Sequence, residues 1–360
     1  MCMKKKLFHQ FVRFLLSSLL LWALGKSGQA LWTHVHSPAP AAPQAQRQLL
    51  TVWLRADNLP VADFVRRQAA AFEKTHKGVS IWVRTVSPSD LALLDRHYDT
   101  AAPDVLLFSA GENVLPTWFS PLGNFPYLGS HRQSGRHEGE ILAAPVCMSG
   151  YALIMQTQEK AATPVPTSIF GVTPAPDFAL PDTTPVPRDL WPTDLAADQR
   201  LGAGLLSLLD APLGARLMER KAVQEAFAQN QVQAALLTIQ QVHSLQSQGK
   251  GMQLLAAVPA SDLMLFGGVM HNAATDAYNF MTYLLSEESQ RTLREYALLP
   301  VRQGIRLYGS DTPILQALEL ALKGGWLPHA FTWPDVMEST IHTAQALYAA
   351  GDSARPLFMP

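Results

Sequence analysis

The sequence predicts an α/β fold in which helices cross over a mostly parallel sheet. Strand-like and helical patterns alternate along the chain from Leu49 onward, which is the pattern of parallel strands joined by crossover helices. The length of 360 residues allows two domains, each with its own core. A formal net charge of −1 provides no basic surface for nucleic acid, so we expect no nucleic-acid partner.

The N-terminus has the pattern of a secretory signal. A basic start and the short apolar run 14–24 lead to small residues before Ala30, so residues 1–30 are predicted to be a signal peptide. The run is shorter than the roughly 18 residues of a membrane-spanning helix. An uncleaved anchor remains the alternative, because Leu31 and Trp32 follow closely. Residues 31–48, rich in Pro and Ala, predict an extended tether.

Five elements are predicted after the tether. They are a strand from Leu49, a helix over 61–74, a strand over 79–86, a helix starting near Ser87 and a strand over 105–108. Ligands of parallel sheets sit outside the carboxyl ends of the strands. This rule points to the loops 55–58 and 109–112.

Residues 265–302 predict a Gly-rich strand end followed by two packed helices. The pair Gly267-Gly268 marks a place where something approaches the backbone closely. Thr275 and Ser286 are predicted to cap the two helices. Helical character is also predicted from Ala196 through 230, and the Pro-rich stretch 161–192 is predicted to be irregular.

Several segments together carry a family resemblance. LLTVWLRADN, APDVLLFSAG, LAAPVCMSGYALIM, and A-x-x-F-x-x-x-L-S-x-E-x-Q with a closing LPV occur in this order. They resemble the bacterial extracellular solute-binding proteins, in the family 1 that includes the maltose-binding protein of ABC importers. The resemblance spans roughly residues 49 to 351 and is weak over 158–230.

The resemblance implies a two-lobed periplasmic binding protein-like fold of type II, with a hinge and a central cleft. Lobe 1 is expected over 49–144 with 254–304, and lobe 2 over 145–253 with 305–360. It further implies a secreted, periplasmic or extracellular monomer without a cofactor. Such a protein captures a small solute, in particular a carbohydrate, by hinge closure and delivers it to the permease subunits of an ABC transporter.

A second class of function stays open. No G-x-S-x-G, Walker loop, H-E-x-x-H or G-x-G-x-x-G occurs in the sequence, so no catalytic motif supports an enzyme. The divergent middle region nevertheless leaves the alternative of a secreted or membrane-anchored enzyme, sensor or interaction domain that does not act in transport.

The resemblance also implies the ligand contacts. They are Arg55, Asp57, Asn58, Phe108, Ser109, Gly111, Glu112, Ser149, Gln241, Phe266, Trp333 and Met337. Ser149 stands where the family often has a carboxylate, and Gln241 lies near a position that is often Trp. For the aromatic residues the competing interpretation is core packing, and for Arg55 with Asp57 it is a solvated pair.

The polar loop 130–140 and the two cysteines are further candidates, for a metal site and for a disulfide. His131, His137 and Glu138 match no zinc or EF-hand spacing, so a solvated loop without metal is predicted. Removal of the signal would take Cys2 with it, leaving Cys147 without a partner for an internal disulfide.

Overall fold

Two five-stranded sheets organise the part of the chain that the structure, a computed structural model, describes. It describes residues 47–55, 59–96, 102–157, 191–259, 264–323, 329–332 and 334–353. Residues from Gln48 to Pro360 cluster as one compact unit. The predicted signal, most of the tether and most of the Pro-rich stretch 161–192 lie outside the described residues.

The described residues form twelve strands. They are β1 (Gln48–Arg55), β2 (Val79–Thr85), β3 (Val105–Phe108), β4 (Arg136–His137), β5 (Glu140–Ile141), β6 (Ala144–Cys147), β7 (Gly150–Gln156), β8 (Leu195–Asp198), β9 (Arg216–Met218), β10 (Ala234–Thr238), β11 (Met252–Pro259) and β12 (Leu265–Val269). The first sheet has the order β2-β1-β3-β12-β6, the second β11-β7-β10-β8-β9, and β4 pairs with β5.

The helices connect and cover these strands. They are α1 (Leu59–Thr75), α2 (Pro88–Arg96), α3 (Gly202–Leu208), α4 (Arg220–Ala228), α5 (Ile239–Ser247), α6 (Thr275–Leu284), α7 (Glu287–Thr292), α8 (Pro313–Lys323) and α9 (Pro334–Ala350). Among the described helices none is both long and apolar enough to cross a membrane.

The first sheet follows the sequence prediction closely. In it, β1 pairs in parallel with β2 and β3, and β12 runs antiparallel to β3 and β6. Helix α1 turns Phe64, Val65 and Phe72 inward, where they are fully buried. This one-sided burial is what the helical spacing predicts.

One of the two predicted helix caps is confirmed. The Ser286 hydroxyl accepts a hydrogen bond from the Ser289 amide at the start of α7. Thr275 does not cap α6: the N-cap is Ala274, and no side chain caps this helix. Thr275 instead occupies the first helical position, where a hydroxyl no longer has N-cap geometry.

Two expectations about strands of the second sheet were wrong. Leu195–Asp198 is a strand, β8, although a helical pattern was predicted from Ala196. Its four residues are buried between β10 and β9 in parallel pairing, and this tertiary environment overrides the local preference. Residues from 254 were assigned to lobe 1, but β11 pairs with β7, so the change of sheet comes after Pro259.

A continuous apolar core runs through the unit. The largest cluster of buried side chains includes residues from both sheets and from α6 and α8. Cys147 is completely buried within it, and burial raises the pKa of its thiol to about 12. This cysteine is therefore a packing residue at physiological pH and not a reactive thiolate.

Candidate functional site

The carboxyl edge of the first sheet carries a buried ion pair. Arg55 ends β1, and its Nε donates to Oε2 of Glu112 at 3.1 Å from the loop that follows β3. The two side chains are only 10% and 18% exposed. In such a setting a pair is screened less than at the open surface and fixes both side chains in place.

The loop after β3 is shaped to return Glu112 towards Arg55. Gly111 has a φ of 87°, a left-handed conformation that glycine adopts without strain. The Glu112 amide donates to the Ser109 carbonyl at 3.4 Å, which closes a tight turn. Sequence reasoning thus placed Arg55, Ser109, Gly111 and Glu112 together, and the structure brings them together.

Phe108 and Phe266 lie in the core. Both are fully buried, and their ring centroids are 6.2 Å apart. Phe108 also packs 5.7 Å from Phe119 and 6.0 Å from Phe331. These faces are occupied by other rings in this structure, which favours the core-packing interpretation for both residues.

The matching edge of the second sheet carries a second arginine–carboxylate pair. Asp198 ends β8, and Arg220 begins α4 directly after β9. Arg220 Nε donates to Asp198 Oδ2 at 2.9 Å, and Arg220 Nη2 donates to the Tyr151 hydroxyl at 2.7 Å. Tyr151 and Asp198 are buried, whereas the Arg220 side chain is 39% exposed.

A short link joins these two edges. Strand β6 ends at Cys147 on the edge that holds Arg55, and β7 begins at Gly150 on the edge that holds Tyr151. Only Met148 and Ser149 lie between the two strands. The edge with Arg55 and the edge with Tyr151 are therefore the two edges that the link 148–149 joins.

Ser149 and its neighbours stabilise this crossing. Ser149 is fully buried, and its hydroxyl lies 3.3 Å from Nε2 of Gln240. Gln240 Nε2 also donates to the Ala297 carbonyl at 3.2 Å, and Met148 bridges to Leu299. These contacts tie the first crossing segment to the chain that leads into the LPV segment.

Gln241 has a structural task in this conformation. Its side chain accepts from the Thr238 amide at 2.9 Å, while the Thr238 hydroxyl accepts from the Gln241 amide, forming a capping box at α5. Its amide group also donates to the Arg220 carbonyl at 2.8 Å. Gln241 therefore supports the second edge by holding Arg220 in position.

Four of the predicted contacts are not described at side-chain level. Asp57, Asn58 and Trp333 lie outside the described residues, and Met337 lies in α9 with no described side chain. As ligand contacts these four remain predictions.

The metal interpretation of the polar loop finds no cluster in the described residues. His137 and Glu138 approach to 3.9 Å at the surface, while His131 is buried. Nowhere in the described ranges do three His, Cys, Asp or Glu side chains gather as a metal site would need.

Three residues of the second edge were missed by sequence reasoning. Tyr151, Asp198 and Arg220 come from three separate segments, and only the pairing of β7, β10, β8 and β9 places them at one edge. The rule that ligands sit at strand carboxyl ends would have pointed to Asp198, had β8 been predicted as a strand.

The two edges share one chemical character. Each holds an arginine paired with a carboxylate, so hydrogen-bond donors and acceptors stand side by side with balanced charge. Each edge can therefore both donate hydrogen bonds to a polar ligand and accept them from it.

Comparisons with known proteins give similarity in structure only. No family model and no curated protein sequence matches this chain. A cyclo/maltodextrin-binding protein complexed with maltotetraose aligns at 13% identity with a TM-score of 0.57, covering 86% of this chain and 94% of its own. A putative extracellular solute-binding protein from Bordetella parapertussis aligns at 13% identity and a TM-score of 0.58, covering 84% and 98%.

A third similar structure binds a different kind of solute. The Bordetella ferric binding protein aligns at 14% identity with a TM-score of 0.54, covering 84% of this chain and 99% of its own. At these identities the likeness establishes the architecture, and ligand choice varies within it. The chain has the two-lobed α/β fold of the extracellular solute-binding proteins, as its sequence motifs predicted.

Proposed function

We propose that this chain is an extracytoplasmic solute-binding protein that captures a small neutral, hydroxyl-rich solute, a carbohydrate, between its two sheets. The observation that carries the proposal is the pair of polar edges, Arg55 with Glu112 and Arg220 with Asp198, joined by the link 148–149. Sugar hydroxyls need donors and acceptors in close alternation, and each arginine–carboxylate pair supplies both.

The lobes are proposed to close over the solute about the crossing segments. Lobe 1 contains the first sheet and lobe 2 the second, with crossings at 148–149, after Pro259 and near Val301. Closure by hinge motion is the common response of two-lobed binding proteins to ligand. The closed form would then deliver the solute to the permease of an ABC transporter in the periplasm or outside the cell.

The fold neighbours support binding and not catalysis. The similar structures include a cyclo/maltodextrin-binding protein and a ferric binding protein. The balanced charge of both edges favours the neutral solute, because a dedicated anion or cation site would carry an excess of one sign.

A thermal-stability screen tests this proposal. Neutral saccharides from maltose to maltotetraose are compared with charged sugars, amino acids and ferric chelates at equal ionic strength. A ligand that binds only the folded state stabilises it by about 2.7 kcal/mol when its concentration is a hundred times its Kd. This stabilisation raises Tm. A neutral saccharide is expected to raise Tm most. A rise confined to ferric chelates or to charged solutes would contradict the carbohydrate assignment.

A further inference from the structure

A cavity of about 270 Å³ shares no lining residue with the two polar edges. It is lined by the loop that follows the LPV segment, by one face of α8 and by His131. Its charged and titratable lining side chains are Arg302, Arg306, Glu319, Lys323 and His131. The volume is slightly below the range of pockets for drug-sized ligands, which begins at roughly 300 Å³, so a ligand here would be small.

The cavity lies between elements that pack on different sheets. The 3-10 segment Pro126–Gly135, which holds His131, packs against β6 of the first sheet. Helix α8, which holds Glu319 and Lys323, packs against β11 of the second sheet. A ligand in this cavity would therefore contact both parts of the fold at once.

The negative charge in the lining is already satisfied. Both Glu319 oxygens accept from the Leu307 amide at 3.0 and 2.9 Å, and one also accepts from the Tyr308 amide at 3.0 Å. Lys323 Nζ donates to Glu319 Oε1 at 2.7 Å and to the Ile305 carbonyl. Glu319 and Lys323 thus cancel each other, and the remaining charge of the lining is positive.

That positive charge comes from two arginines. Arg302 stacks its guanidinium 4.2 Å over the Tyr127 ring and donates one hydrogen bond to the Leu285 carbonyl. Arg306 is exposed, and none of the hydrogen bonds or ion pairs between described residues involves its side chain. A guanidinium has five donors in a planar fork that matches an oxyanion.

His131 adds a polar side chain to the lining. The residue is only 7% exposed. Burial, with Lys323 nearby, lowers its pKa to about 4, so the ring is neutral at pH 7 and offers one N–H donor. The ring lines the cavity, so a ligand bound there can contact it.

We propose that this cavity binds a small oxyanion, with the guanidinium groups of Arg302 and Arg306 and the N–H of His131 as donors. Phosphate, sulfate and a short carboxylate share the required chemistry. None of its lining residues belongs to the two polar edges, so the inference does not depend on what the cleft binds.

Calorimetry tests the site with the mature chain at pH 7 and constant ionic strength set by chloride. Inorganic phosphate, sulfate and citrate are titrated separately, which distinguishes among the sources of the oxyanion. Saturable binding at one site is expected for at least one of them. Arg306→Gln removes an exposed side chain and is expected to lower the association constant about tenfold, as for the loss of a charge-assisted hydrogen bond.

The matched control is Arg66→Gln, which removes an exposed arginine of α1 that does not line the cavity. The affinity of this variant for the anion should equal that of the parent. His131→Leu should also weaken binding, because it removes the imidazole N–H donor. Absence of saturable binding for all three anions would overturn the proposal. So would an equal affinity in the Arg306→Gln and Arg66→Gln variants, with folding of each checked by circular dichroism.

Discussion

At the scale of single residues, Glu319 shows how one buried carboxylate can hold a loop to a helix. It is 2% exposed on α8, and it accepts hydrogen bonds from the backbone amides of Leu307 and Tyr308 as well as from Lys323. The loop between the LPV segment and α8 therefore depends on a negative charge at this position.

Glu319→Gln is expected to lower the free energy of unfolding by about 2–3 kcal/mol, because it weakens hydrogen bonds to a charged acceptor and removes the ionic partner of Lys323, whose side chain is 20% exposed. Urea denaturation measures the change. Glu287→Gln removes a surface pair with Arg291 at 2.6 Å and should cost less than about 0.5 kcal/mol. Equal losses in the two variants would mean that the Glu319 contacts contribute little.

His131 predicts a pH dependence of stability. Its pKa is about 4 in the folded chain against an ordinary value of 6.5, with Arg302, Arg306, Lys323 and Glu319 lining the same cavity. Between these values the unfolded chain takes up a proton that the folded chain does not. The contribution is fully present above pH 6.5 and is lost as the pH falls towards 4.

The expected loss is on the order of 3 kcal/mol across this window. Urea denaturation at a series of pH values, for the parent and for His131→Gln, measures it, since other groups contribute equally to both. The parent should lose more stability than the variant from pH 7 to pH 4. Parallel curves for the two proteins would mean that His131 titrates normally when folded.

At the scale of elements, Gly268 explains why the sequence has a glycine pair in β12. A Cβ at this position would lie 2.4 Å from the Phe119 ring and 2.8 Å from the Leu142 carbonyl oxygen. The close approach predicted from Gly267-Gly268 is therefore an approach by the core of the first sheet.

Gly268→Ala is expected to destabilise the fold by about 1–3 kcal/mol, the usual cost of overpacking a filled core. The matched control is Gly78→Ala, where nothing lies within 4 Å of the added methyl group, so stability should stay nearly unchanged. Thermal unfolding compares the two. A neutral Gly268→Ala would show that β12 and its neighbours move apart easily.

Much of the first sheet could be predicted because its patterns are local. Strands β1, β2 and β3 and helix α1 follow from apolar spacing that needs no knowledge of partners. The strand β8 was missed because its four residues, LAAD, are short and lack β-branched side chains. Its strand character comes from pairing with β10 and β9, which no local pattern contains.

The sequence predicts the two helices α6 and α7, but it does not predict the structural role of Gln290, the last polar residue of the motif. Gln290 is fully buried, donates to the Val146 and Leu284 carbonyls at 2.8 and 3.0 Å, and accepts from the Val301 amide at 3.0 Å. This side chain joins β6, the end of α6 and the LPV segment. The structural role of Gln290 is therefore visible only in the folded chain.

At the scale of the whole molecule, the site could be predicted on one edge and not on the other. Arg55 and Glu112 follow from the strand-end rule, because Arg55 lies at the end of one predicted strand and Glu112 in the loop after another. Arg220 and Asp198 are 22 residues apart, and Tyr151 is 69 residues from Arg220, so only the sheet order brings them together. For Phe108 and Phe266 the resemblance implies ligand contacts, but in the structure both side chains pack in the core.

Hinge closure predicts a change in overall dimensions. With a saturating saccharide identified by the thermal screen, small-angle scattering of the purified protein should show a smaller radius of gyration than without it. The physical reason is that contacts to both edges are complete only when the two lobes approach each other. An unchanged radius at saturating ligand would argue for a site that does not close.

The central claim, that a solute is held by polar groups from both edges, is tested most directly by one pair of variants on the second sheet. Arg220 and Asp198 stand at the carboxyl ends of β9 and β8, and Arg216 and Asp194 form an equivalent pair at 2.9 Å near the amino ends of the same strands. Calorimetry with the saccharide that raises Tm most compares Arg220→Gln with Arg216→Gln.

Arg220→Gln is expected to weaken binding about 10- to 100-fold, corresponding to the loss of hydrogen bonds from a charged donor, while Arg216→Gln binds like the parent. Urea denaturation of the empty proteins separates binding from stability. Parent-like affinity in a folded Arg220→Gln variant, or equal losses in both variants, would contradict the account.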